Sequence, residues 1–133
     1  MSDGENLPPI ASEERLARFI FYRRHIRNDG SLRPDAFIPH PYPDLSVTRH
    51  LQLSQAQIWD IGHLVARQVG HTLQGRADLA VAVFQRQKLQ VVAAPVPENP
   101  NHANVIDWPP EKSAQKSIGQ QIAEAAGKAQ TSP

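Results

Sequence analysis

The chain has 133 residues, enough to bury one ordinary core and too few for two domains of typical size. Its 14 basic and 13 acidic side chains leave a net charge of +1, so the field of the whole molecule gives no reason to expect nucleic acid or an anionic membrane as partner, and any such case must be local. No cysteine is present, which excludes disulfides, thiolate nucleophiles and cysteine metal sites and fits a reducing compartment.

Apolar residues make up 40% and charged residues 20%, close to globular usage, while twelve prolines against seven glycines predict long irregular stretches. The first residues are acidic and polar, unlike a secretory signal, and no apolar run approaches the roughly 18 residues of a membrane helix. The expected location is the cytoplasm, with no membrane partner.

Residues 1–11 carry a Pro8-Pro9 pair and no periodicity, and are expected to form a disordered arm; residues 127–133 are expected to form a disordered tail. Between them, residues 12–126 are expected to fold as one α+β domain, a short and mostly antiparallel sheet packed against two or three helices. Ser12 is placed to cap a helical turn over Glu13 and Glu14 that feeds a strand through Phe19, Ile20, Phe21 and Tyr22. Asn28-Asp29-Gly30 is a turn signal, because Asn and Asp tolerate a positive φ and Gly adopts it without steric cost.

Four prolines from Pro34 to Pro43 punctuate Ala36-Phe37-Ile38, which is compatible with a short edge strand but not with a central one. Leu45 to Leu51 alternates and predicts another strand. Leu53-Ser54-Gln55-Ala56-Gln57 then has the spacing of a capping box, with Ser54 as N-cap and Gln57 three residues on, and Leu53 and Ile58 in staple positions. The helix it starts is expected over Gln55 to Val69, with Ile58, Ile61, Val65 and Val69 as its apolar stripe and Gly70 ending it.

Leu79 to Phe84 and Leu89 to Ala93 read as two strands of a hairpin turned by Gln85-Arg86-Gln87-Lys88, with a single helix over residues 77–88 as the rival. Ala103 to Asp107 follows as a strand. Pro109-Pro110-Glu111 starts a last helix to about Ala126, with Ile118, Ile122 and Ala125 on its apolar face.

Four places carry candidate chemistry. The segment holding Arg15, Arg18, Arg23, Arg24, His25, Arg27 and Arg33 interleaves cations with Phe19, Phe21 and Tyr22, a composition that suits phosphate oxygens through bidentate guanidiniums and nucleobases through stacking. Arg23, Arg24, Arg27 and Arg33, joined by Arg49 and Arg76, are the candidate ligand-binding residues. The competing reading is a solvated face partly neutralised by Glu13, Glu14 and Asp35.

Of the six histidines, His25, His50 and His102 are candidate acids or bases, yet no pair has the spacing of a helical metal site. No metal and no cofactor is expected. Asp44 to His50 places two hydroxyls, an arginine and an imidazole on one strand, where Thr48 and His50 on a shared face offer a nucleophile-and-base pair and an ordinary sheet strand is the simpler account. Asn101 to Pro109 ends in Asp107 and Trp108, and both Trp59 and Trp108 are expected in the core. No phosphate loop, dinucleotide fingerprint, nucleophile elbow or calcium loop occurs.

Three stretches taken together, Asp44-Leu45-Ser46-Val47 leading into Leu53-Ser54, Ile58-Trp59 and Gly62, then Arg76-Ala77-Asp78, then His102-Ala103-Asn104-Val105 with Trp108-Pro109, resemble a group of small uncharacterised bacterial proteins over roughly residues 18–125. The resemblance implies a bacterial stand-alone domain and carries no catalytic residue across. Two classes of function stay open. One is a binding or accessory protein that contacts another protein, an anionic ligand or a nucleic acid through the arginine-rich segment and the loop from Pro39 to Pro43. The other is a small enzyme acting on a phosphorylated or nucleotide substrate with arginine clamps and a histidine acid or base.

Overall fold

The computed structural model describes residues 7–133. Five strands run in the order β3-β1-β2-β5-β4, and every neighbouring pair is antiparallel. They are β1 Arg15–Ile20, β2 Leu45–Arg49, β3 Gly75–Ala80, β4 Gln90–Ala93 and β5 His102–Ile106. Three helices complete the domain: α1 Gln55–Gln68, α2 Val81–Gln85 and α3 Lys112–Ala126, with 3-10 turns at Arg23–His25 and Pro34–Phe37. The expected α+β class holds, as a single small domain with one antiparallel sheet. No helix among the described residues is long and apolar enough to cross a membrane.

Period-two alternation along β1 divides the core. Leu16 and Ile20 enter the larger apolar cluster with Leu45, Val47, Val105 and Ile122, whereas Ala17 and Phe19 face Ile58 and Ile61 of α1. Helix α1 thus covers one face of the sheet and α3 the other. Two glycines set these approaches. A Cβ at Gly62 would lie 2.7 Å from Phe19, and one at Gly119 would lie 2.9 Å from the Pro34 carbonyl, so each helix reaches its neighbour only through a missing side chain.

The capping box at α1 forms as the sequence requires. The Ser54 hydroxyl accepts from the Gln57 amide at 3.1 Å, and the Gln57 side chain accepts from the Ser54 amide at 2.8 Å. The buried face differs from the expected stripe: Ile58, Trp59, Gly62 and Ala66 turn inward, while Val69 is 53% exposed.

Several local expectations are corrected. Ser12 starts no helical turn; the Glu14 amide bonds to the Ala11 carbonyl and β1 begins at Arg15. Ala36-Phe37-Ile38 is no edge strand, because Pro34 opens a 3-10 turn that buries Ala36 and Phe37. Residues 77–88 are neither one strand nor one helix. Strand β3 passes directly into α2, and the chain turns at Lys88, φ 64°, to place β4 beside β5 at the opposite edge of the sheet from β3.

The termini are also more engaged than their composition implied. Residues 1–6 of the expected arm lie outside the described residues, but Ile10 packs on the main core and the Pro8 carbonyl accepts from Arg49 at 2.7 Å. Of the expected tail, Lys128 bridges to Ser31 and Gln130 to Arg76, the latter through two backbone bonds of 2.9 Å. On the outer edge of β3 the segment after Gly127 thus pairs with the backbone N–H and C=O of Arg76.

Candidate anion-binding groove

The groove is built by a loop closed on itself. The Asp29 carboxylate accepts from the Ser31 amide at 2.9 Å and from its hydroxyl at 2.6 Å, and Gly30 takes the positive φ, +89°, that the turn needs. Those Ser31 bonds, with Lys128 and Arg27 nearby, hold the Asp29 carboxyl below its ordinary value. Ile26 bridges to Leu32, whose side chain is buried, and the Arg33 amide bonds to the His25 carbonyl at 2.8 Å. Arg27 and Arg33 are thereby brought to the same place as Arg23 and Arg24.

The result is an open groove of about 780 Å³ lined by Arg23, Arg24, Ile26, Arg27, Asn28, Arg33 and Asp35. Its four arginines are exposed, and none forms a salt bridge among the described residues. Arg27 is positioned by the Leu32 carbonyl at 2.8 Å, and Arg24 lies 4.4 Å above the centre of the Tyr22 ring. With Asp35 as the only acid in the lining among the described residues, the groove is a local concentration of positive charge on a nearly neutral protein.

Aromatic rings continue from the groove. The Tyr22 ring centre lies 5.1 Å from that of His25 and 4.9 Å from that of His71, and the Tyr22 hydroxyl and His71 Nε2 are 3.2 Å apart. His71 stacks in turn on Phe21 at 6.1 Å. The His25 imidazole is half-buried; desolvation, then Arg24, outweighs Asp35 and lowers its pKa from the ordinary 6.5. It therefore adds no full charge to the groove at neutral pH.

The other arginines of the expected set have different work. Arg49 is withdrawn from ligand binding, because its fully buried guanidinium meets Glu14 through bonds of 2.6 and 2.7 Å. Arg76 is likewise fully buried. It bonds to Asp78 at 3.1 and 3.0 Å and to Gln55, and lies 4.6 Å from the centre of the Trp59 ring. Arg18 donates to the Ala36 and Ser46 carbonyls at 2.9 and 3.1 Å, and burial lowers its pKa to about 10, leaving it charged at neutral pH. Arg15 is exposed at the start of β1.

The three candidate histidines are not brought together. His25 stands beside the groove, His50 Nε2 lies 3.1 Å from Asp78, and His102 Nδ1 bonds to the Ala94 carbonyl at 2.9 Å. Thr48 accepts from Asn99 at 2.9 Å and forms no pair with His50. Trp59 is buried, and half-buried Trp108 donates to the Val105 carbonyl at 3.0 Å. No group of three or more histidines and carboxylates among the described residues is placed to hold a metal ion. Comparison with protein families, with curated proteins and with solved structures returns no match.

The contacts missed at the level of sequence are the Tyr22–His71 bond and the His50–Asp78 pair, separated by 49 and 28 residues. Nothing local signals either one. The groove arginines differ: they fall within eleven consecutive positions, and the Asn28-Asp29-Gly30 turn between them was legible.

Proposed function

We propose that the protein is a non-enzymatic binding module, an accessory protein of the bacterial cytoplasm, which holds a phosphate-bearing ligand in the groove formed by Arg23, Arg24, Arg27 and Arg33. The observation that carries this reading is four exposed guanidiniums on one concavity with no carboxylate paired to them among the described residues. Guanidinium forks match phosphate oxygens in geometry and charge, and an unpaired cluster avoids the cost of breaking internal ion pairs before a ligand can bind.

Binding is favoured over catalysis because His25, His50 and His102 stand apart on separate segments, and neither they nor Arg49, Arg76 and Asp78 line the groove. The test is calorimetric titration with inorganic polyphosphate at low ionic strength. Binding that weakens several-fold in Arg24→Ala and again in Arg24→Ala/Arg33→Ala supports the reading. No heat at low salt, or equal affinity in the double variant, overturns it.

A further inference from the structure

Arginines alone would accept any phosphate. The aromatic ledge beside them narrows the choice. Tyr22 is 38% exposed, yet its ring is fixed from several sides: Arg24 lies over it, His25 and His71 flank it, and its hydroxyl is tied to His71. Phe21, stacked on His71, packs in turn on the Ala17–Phe19–Ile58 cluster, so the ledge is anchored to the core. A ring held in this way loses little freedom when a second flat group stacks upon it.

Arg24 belongs to both features, lining the groove and lying 4.4 Å over the tyrosine. A ligand that uses both must therefore carry phosphate and a flat unsaturated ring within a few ångströms of each other. A nucleotide unit has that composition. The groove is open and has no enclosed apolar pocket for one small molecule, which suits a strand running along it. A duplex keeps its bases stacked on one another and offers no free face to Tyr22.

Building on the anion-binding reading of the groove, we infer that its ligand is single-stranded nucleic acid, with backbone phosphates on Arg23, Arg24, Arg27 and Arg33 and one base stacked against Tyr22 and Arg24. Stacking makes the interaction tolerant of sequence, because every base has a face to stack.

The test is fluorescence anisotropy with a labelled ten-nucleotide oligothymidine at low salt. The competitors are inorganic polyphosphate, a doubly phosphorylated serine peptide and a DNA duplex of the same length. The expected result is that the oligothymidine binds more tightly than the other three at matched phosphate concentration. Tyr22→Ala weakens it roughly tenfold and weakens polyphosphate, which has no base to stack, by much less.

Circular dichroism establishes whether Tyr22→Ala folds; should it not, Tyr22→Trp decides. That variant should retain binding, and its new indole should be quenched by oligothymidine and not by polyphosphate. If polyphosphate or the phosphopeptide competes as well as oligothymidine, or the indole is not quenched, the nucleobase inference falls and the anion groove stands. If none of the four ligands binds, both fall.

Discussion

The Arg76 guanidinium meets the Asp78 carboxylate through two bonds, Nε to Oδ1 at 3.1 Å and Nη2 to Oδ2 at 3.0 Å, while the Trp59 ring lies 4.6 Å from its centre. Arginine is fully buried here and the carboxylate nearly so, at 0% and 8% side-chain exposure. His50 and Gln130 also bond to Asp78, at 3.1 and 2.8 Å, so one carboxylate joins β3, the end of β2 and the C-terminal segment. The pair is an internal fastening, two residues apart on one strand.

Removing one partner from such a pair leaves a buried charge without compensation. Asp78→Ala should destabilise the domain by about 3–5 kcal/mol, whereas Arg76→Met together with Asp78→Leu should cost less than the single change. Urea unfolding measures both. A single variant as stable as the parent would mean that Arg76 is solvated in solution.

Acid should weaken the fold in two separate stages. The His25 pKa lies below 6.5 in the folded protein, so as pH falls through 6.5 the unfolded chain takes up the proton first and stability declines until the folded value is reached. Burial alone would raise the Asp78 carboxyl, but hydrogen bonds from His50 and Arg76 outweigh it and hold it below 3.8. Its contribution is complete above 3.8 and disappears as pH falls through the folded value. Stability followed by denaturant titration against pH should lose the first decline in His25→Gln; a variant that keeps it would assign that decline elsewhere.

Loss of the α1 cap has a smaller expected effect. Ser54→Ala removes the acceptor of the 3.1 Å bond from the Gln57 amide and should cost about 1 kcal/mol. The change should appear as a lower urea midpoint with the same denaturant slope. No shift would contradict the capping box as a stabilising contact.

Local features were the legible ones. The Ser54–Gln57 box needs only four consecutive residues, and the Asn28-Asp29-Gly30 turn, which gathers the groove arginines, needs three. The segment from Ala77 to Lys88 resisted assignment because β3 stops and α2 starts inside it, a division set by pairing with β1 rather than by propensity. Arg49 and Arg23 look alike as isolated residues. They separate only when Glu14, 35 positions from Arg49, is folded against it, while no acid among the described residues forms a salt bridge with Arg23. The segment after Gly127 looked loose by composition, and its bridges from Lys128 to Ser31 and from Gln130 to Arg76 join positions too far apart in sequence for any local signal.

The central claim, a groove that takes phosphates on unpaired arginines, is tested most directly by the dependence of oligothymidine affinity on salt. Counterion release makes the logarithm of the binding constant fall linearly with the logarithm of salt concentration, with a slope of roughly 0.7 per phosphate neutralised on a single strand. The parent protein should give a slope of roughly −2 to −3 for three or four engaged arginines, and Arg24→Ala should reduce its magnitude by roughly 0.7. A flat response in the parent, or an unchanged slope in the Arg24, Arg27 and Arg33 alanine variants, would contradict the account.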